Sequence, residues 1–316
     1  PEFQKTYAQG SGGVFSATSG TSWGPKISEL PNDATYGGNT DNEYTQKFGK
    51  QQGKYYVPQR AAAGLDPWAT PQAYDNAKDF FDTGITWSNS LNVAQMLDKS
   101  SYSISLGNTH QDGIISSTGM DRYNVKVSAD TKLTNNWSSG FTANYITTSI
   151  DKAVTSGNGL LRTVYAAPPS YDLAGIPSHV DGNQYTQNSF RGSFDNAYWA
   201  MDNNKFTEDT NRFFGNVYAS YQTDFGTTNH KLNAKYMVGV DAYTTHYVDS
   251  YGYGSNTGGG RGQIENYGWT NATYNSLLTI NYDWHINEDW GLNAVLGNEI
   301  IQSNRKKYYE YGTNYN

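Results

Sequence analysis

The stretch that most limits what this chain can fold into runs from Asp121 to Ile150. In its first half Tyr123, Val125, Val127, Ala129, Thr131 and Leu133 alternate with Arg122, Asn124, Lys126, Ser128, Asp130 and Lys132. Period-two alternation over this length dictates a strand with one apolar face and one charged face. Two kinds of structure present such a face pair. One is a soluble sheet, and the other is the wall of a membrane barrel with lipid outside and water within. The number of repeats of the pattern, and the way its strands are joined, separates the two.

Composition narrows the field. Only 36% of the 316 residues are hydrophobic and the mean hydropathy is -0.74, yet 15% are aromatic and 27 are Tyr. A chain this polar tends towards disorder, but disordered chains lack rings, so an ordered structure must use them. The net charge of -7 argues against a nucleic-acid partner, which would select a basic face. With no Cys there is no disulfide framework and no thiolate metal site. No apolar run approaches the roughly 18 residues of a transmembrane helix, which leaves a barrel as the membrane option. The chain opens at PEFQKTYAQG without a leader and ends at YEYGTNYN, and it reads as a piece of a longer polypeptide.

Residues 1–83 are rich in Gly, Asn, Thr and Gln and show little periodicity, the mark of a long loop. Their rings (Phe3, Tyr7, Phe15, Trp23, Tyr36, Tyr44, Tyr55, Tyr56 and Trp68) predict that this loop is ordered. A helical turn is expected from Thr70, with Thr as cap and Pro71 in first position. From residue 84 onward eight strands are expected. Short turns fall at 98–100, 135–136, 224–229 and 286–289, and long connections at 111–120, 151–205 and 249–262. Alternating short turns and long loops along antiparallel strands is the pattern of outer-membrane barrels, with the short turns periplasmic. Trp137, Phe225, Trp284 and Trp290 sit beside short turns, as an interfacial girdle requires. The fold class expected is therefore all-β, an antiparallel transmembrane barrel; eight strands could close into a small one, but loops as long as 1–83 and 151–205 suit part of a large one better. Residues 1–83 form an extracellular loop and 84–316 the wall.

Several segments resemble one family over nearly the whole chain and in its order. They are PEFQKTYAQGSGGVF with SWGP, DNAKDFFDTGITWSNSLNV, YSISLGNTHQDGIISSTGMDRYNVKVSADTKLTNNWSSG, and DNAYWAMDNNKFTEDTNRFFGNVYASY. Each is similar to the region after the plug in SusC/RagA-type TonB-dependent outer-membrane transporters of Bacteroidetes. The resemblance implies a 22-stranded barrel closed by a plug, the strand count of plugged transporters. It also implies import of a large nutrient, an oligosaccharide (glycan) or a peptide. The implied partners are a SusD-like surface lipoprotein, the TonB–ExbB–ExbD motor, and the lipid and lipopolysaccharide of the bacterial outer membrane. Neither the plug nor the TonB box lies in these residues, and no catalytic group or cofactor is implied.

The candidate substrate contacts are Trp23, Trp68, Asp195, Asn196, Tyr198 and Trp199. Rings stack on sugars while carboxylates and amides take hydroxyls; the plainer reading is that these rings pack within their own loops. Arg122, Lys126, Asp130 and Lys132 are expected to face the lumen, and Arg305, Lys306 and Lys307 to form a solvated run near the outer rim. The five His (110, 179, 230, 246, 285) share no metal-ligand spacing and are expected in loops or turns. The GGGRG run at 258–262 lacks the strand-to-helix setting of a phosphate loop. No Ser nucleophile elbow is present. A soluble β-rich carbohydrate-binding or adhesin domain is the alternative from another class. A glycoside hydrolase is a third reading, for which no carboxylate pair is singled out.

Overall fold

The computed structural model describes residues 3–154 and 159–314; the outermost residues at each end, and 155–158 of the connection expected at 151–205, lie outside the described residues. Eight strands form one sheet. They are β1 (Thr86–Met96), β2 (Ser100–Asp112), β3 (Gly119–Lys132), β4 (Trp137–Lys152), β5 (Lys205–Thr223), β6 (His230–Tyr253), β7 (Arg261–His285) and β8 (Gly291–Thr313). Every strand pairs antiparallel with its neighbours in sequence, so the sheet is an up-and-down meander with no crossover. One end carries the turns 97–99, 133–136, 224–229 and 286–290. The opposite end carries the connections 113–118, 153–204 and 254–260.

Cross-strand register places the two faces of the opening alternation across the sheet. The row through Val127 contains Val93, Ile104, Ala143, Gly215, Val240 and Tyr274. The row one residue away, through Ser128, contains Thr142, Asn216, Gly239 and Asn275. One face is thus an apolar band and the other is polar throughout. The band drifts across the register. Its upper limit is Val125 on β3 but Ile300 on β8, which lies in the row of Ala129. Its lower limit is Trp137 on β4 but Leu292 on β8, whereas Leu296 is the residue in the row of Trp137. A drift of roughly four residues (~14 Å) over four or five strand spacings (~19–24 Å) tilts the strands by about 30–35° to the band, near the tilt that barrel closure imposes. No helix among the described residues is long and apolar enough to cross a membrane.

Three strands are much longer than the band requires. β6, β7 and β8 have 24, 25 and 23 residues, while a tilted strand crosses a bilayer in roughly 9–11. Above the band the outward face of the sheet turns polar, as in the row Asn108, Thr147, Asn211, Thr244 and Thr270, where Tyr123 is the one ring. Two connections expected to be long are shorter: 111–120 contracts to 113–118 between β2 and β3, and the length of β6 and β7 contracts 249–262 to 254–260. The flanking residues continue the ladders, Tyr251 opposite Gln263 and Tyr253 opposite Arg261. Glycines and polar residues on both faces gave these ladders no apolar signature.

The buried core lies outside the sheet. Phe15, Leu30, Tyr55, Phe80, Val164, Leu173, Phe190 and Trp199 all belong to one cluster, built from residues 8–80 and 160–200 with Ile115 added. Helix α1 (Glu43–Phe48) begins at Asn42, whose side chain accepts from the Tyr44 and Thr45 amides while Thr45 Oγ1 accepts from the Asn42 amide. That is a reciprocal cap. Four short helices follow: α2 (Pro58–Ala62), α3 (Asn76–Phe80), α4 (Leu160–Ala166) and α5 (Ala197–Asn203). The helical turn expected from Thr70 starts instead at Asn76, capped by Asp75 accepting from the Lys78 amide. The reason is tertiary: the Asn76 side chain donates to the Pro168 and Tyr171 carbonyls and accepts from the Leu173 amide, which fixes where α3 can begin.

Candidate functional site: the loop body and the face beneath it

The two long loops fold into one body. Gln9 donates its amide to Ser170 Oγ at 2.9 Å and its side chain to the Phe190 carbonyl at 2.8 Å. The Tyr55 hydroxyl donates to the Ser170 carbonyl at 2.8 Å, and Asn188 donates to the Gln59 carbonyl at 2.8 Å. Burial holds the Tyr55 and Tyr171 hydroxyls protonated well above their ordinary range. These partners are more than a hundred residues apart, so neither loop has this shape alone.

The body absorbs four of the six candidate contacts. Trp199 is 1% exposed and donates its indole N–H to the Gln184 carbonyl at 2.7 Å. Asn196 is buried as the cap of α5, accepting from the Tyr198 and Trp199 amides. Trp68 is buried edge-on against Tyr56. Asp195 accepts from Gln187, Ser255 and both the backbone and side-chain nitrogens of Asn256, at 2.6–2.9 Å. The expectation of stacking faces at Trp199 and Trp68 is therefore corrected. Trp199 is covered because it packs into the core that the two loops share with Leu30, Val164, Leu173 and Phe190, and Trp68 because it lies against Tyr56. Trp23 is 61% exposed beside Tyr7, and Tyr198 is half-buried with its hydroxyl on the Asp79 carbonyl.

Asp195 fastens the connection 153–204 to the β6–β7 loop. Gly254 in that loop adopts φ +98, and a Cβ there would collide with the Tyr185 carbonyl. Only glycine allows that approach. Between the body and the upper ends of β4–β6 lies a cleft of about 660 Å³, lined among others by Asp151, Lys152, Asp202, Lys205, Phe206 and Tyr251.

Below the cleft the polar face carries a panel of rings and charges. Glu208, Tyr247, Tyr267 and Tyr309 share one row; Phe206, Asp249, Glu265 and Tyr311 share the next towards the loops. Tyr247 and Tyr267 stack at 4.9 Å, Lys152 Nζ lies 4.5 Å from the Tyr247 ring centre, and Arg305 lies 4.7 Å from that of Trp269. The Tyr267 hydroxyl is pushed up to about 12 by burial and then by its bond to Asp249. Lower on the same face Arg212 grips Asp241 with two nitrogens, and Tyr218 donates to Asp130 at 2.6 Å. Arg122, Lys126, Asp130 and Lys132 occupy this face on β3. The panel escaped the sequence reading, although Tyr243, Tyr247 and Tyr251 recur every fourth residue on one face of β6. Arg305 and Lys307 share the panel's face while Lys306 points the other way, so they are not one solvated run.

All five histidines take strand positions: His110 and His246 lie inside β2 and β6, His230 and His285 end their strands beside short turns, and His179 lies in a two-residue pairing of the loop body. His110 Nδ1 is 2.8 Å from Asp121 and Nε2 3.3 Å from Asp112, above the apolar band. Among the described residues no three His, Asp or Glu converge as metal ligands.

No family model and no curated protein matches the chain. Solved structures do. A chain of the RagAB peptide importer in its "closed-closed" state matches with a TM-score of 0.63 and 16% identity, covering 77% of this chain and 27% of that one. The "open-open" state gives the same values. A structure of the RagAB peptide transporter gives 0.60 and 17% over the same shares. This chain thus spans about a quarter of the length of those it matches, and at such identity the likeness is one of fold. By fold, the chain is part of a large antiparallel β-barrel: a stretch of wall with its overlying loops, similar to that in the RagAB structures, whose RagA is a SusC-type TonB-dependent transporter.

Proposed function

We propose that this chain is part of an active importer of the outer membrane, taking up oligopeptides and working with a SusD-like surface lipoprotein and TonB. The observation that carries this reading is the pairing of a tilted apolar band with a loop body built over a polar, ring-lined face. Such a wall has lipid on one side and a solute path on the other. In this reading the loop body is extracellular, the short turns are periplasmic, and Arg122, Lys126, Asp130 and Lys132 line the lumen. Trp23 and Tyr198 remain as cargo contacts, while Trp68, Asp195, Asn196 and Trp199 hold the body in shape.

Peptide rather than glycan is favoured by the panel's charges of both signs (Arg305, Asp249 and the Lys152–Glu208 ion pair), which suit a zwitterionic cargo, and by the named activity of the RagAB neighbours. No covalent step is required. The test is uptake of fluorescent oligopeptides and of neutral oligosaccharides by cells with and without the gene. Gene-dependent peptide uptake that collapses with the proton-motive force is expected. Uptake of neither, with the protein recovered in the soluble fraction, would overturn the proposal.

A further inference from the structure

Two carboxylates face each other on the panel beneath the cleft with no cation between them. Asp249 and Glu265 are direct partners across β6 and β7, flanked in their row by Phe206 and Tyr311. Side chains paired in this way stand about 5 Å apart at Cβ, where like charges repel. Tyr267 donates to Asp249 at 3.1 Å and Gln263 to Glu265 at 3.0 Å, but neither donor carries charge. Among the described residues neither carboxylate enters an ion pair. Of the bases on this part of the face, Lys152 is bonded to Glu208 at 3.3 Å, and Lys307 and Arg305 lie one and two rows below Tyr309.

The rings beside these carboxylates already hold one cation. Lys152 Nζ lies 4.5 Å from the Tyr247 ring centre while bonded to Glu208. Tyr267 stacks on Tyr247 at 4.9 Å with 8° between the planes. A ring with a carboxylate beside it thus occurs twice side by side, as Tyr247 with Glu208 and as Tyr267 with Asp249. Lys152 fills the first, and among the described residues no cation lies over the ring of the second. Burial, and then Glu208 and Asp249, raise the Tyr247 and Tyr267 hydroxyls above their ordinary range, so the potential over the panel is negative. Asp249, Glu265 and Tyr267 are half-buried and Tyr309 and Tyr311 exposed, which leaves the place open to a solute. A guanidinium or an ammonium suits both parts, the ring face and the carboxylates. A neutral sugar would use the rings and leave the charges facing each other.

We propose that Asp249, Glu265 and the Tyr267 ring form a subsite for a cationic group of the oligopeptide cargo. The inference rests on the import reading for the identity of that cargo. The test is calorimetric titration of the complete transporter with its lipoprotein. Two probes are heptapeptides blocked at both ends, with Arg or its neutral isostere citrulline at the centre. The third is the citrulline peptide with a free amino terminus. At least one charged probe is expected to bind about tenfold more tightly than the blocked citrulline peptide, the scale of a charge-assisted hydrogen bond. A gain for the first assigns the cation to a side chain, and a gain for the third assigns it to the amino terminus. Asp249→Asn combined with Glu265→Gln should abolish the preference, and Tyr267→Leu should weaken it.

Equal binding of all three probes to the unaltered protein overturns the subsite. So does a preference that survives the double substitution. Heat-modifiable gel mobility reports whether the double variant has kept its fold; if it has not, Glu265→Gln alone serves in its place. A preference that depends on these carboxylates, without cellular uptake, would leave the subsite standing and remove the import reading. Uptake with binding indifferent to charge would do the reverse.

Discussion

Both faces of the Trp199 indole are covered and its N–H is bonded to the Gln184 carbonyl, so the residue closes the loop core. Replacing it with Ala should cost about 3–5 kcal/mol of loop-body stability, the usual range for a buried indole. Limited proteolysis should then cut within 160–200 while the strands stay protected. Trp23→Ala, at a site 61% exposed, should leave protease resistance unchanged. Residue type alone could not separate these two tryptophans, because both stand among polar residues, Trp23 in SGTSWGP and Trp199 in DNAYWAMDNN; only the partner loop decides which is covered. His110 offers a test by pH. Its hydrogen bond to Asp121, then the charges of Asp121 and Asp112, raise its pKa above the ordinary 6.5. A raised folded value means that the stabilisation is complete below about pH 6.5 and is lost as pH rises through the folded midpoint. An NMR titration should place that midpoint above the unfolded value, and Asp121→Asn should bring it down.

A single parity governs each strand, so one position decides whether a charge meets the apolar band or the polar face. Val240 lies mid-band in the row of Val127 and Tyr274; Asn216 lies one row over on the polar side. Val240→Arg should destabilise the wall by about 2–4 kcal/mol, the cost of a charge near the bilayer midplane. Asn216→Arg should be tolerated. The amount of folded protein in the outer membrane, read by heat-modifiable gel mobility, distinguishes them. The strands that cross the band were legible because Val125, Val127 and their neighbours alternate against charged residues. The upper reaches of β6 and β7 were not. Water bathes both faces there, so no apolar period marks them, and their glycines imitate a loop.

The meander and its loop body depend on contacts of very different range. Strand pairing is local except between β4 and β5, which meet across the 153–204 connection, and turn chemistry with alternation reveals the local pairs. The union of residues 8–80 with 160–200 is carried by buried amides such as Gln9, Asn76 and Asn188, which leave no periodic trace in the sequence. The Asp195 clamp has the same character. Asp195→Ala should release the β6–β7 loop and speed amide hydrogen exchange at 254–260 without altering exchange in β3.

The central claim is that one end of this sheet lies outside the cell and the other in the periplasm. Because the chain has no Cys, single thiols can be placed at will. The measurement is labelling of intact cells with a membrane-impermeant maleimide after Asp41→Cys in the loop body or Glu288→Cys in a short turn. Labelling at 41 in intact cells, and at 288 only after the outer membrane is permeabilised, is the predicted result. Equal labelling of both in intact cells would contradict the account.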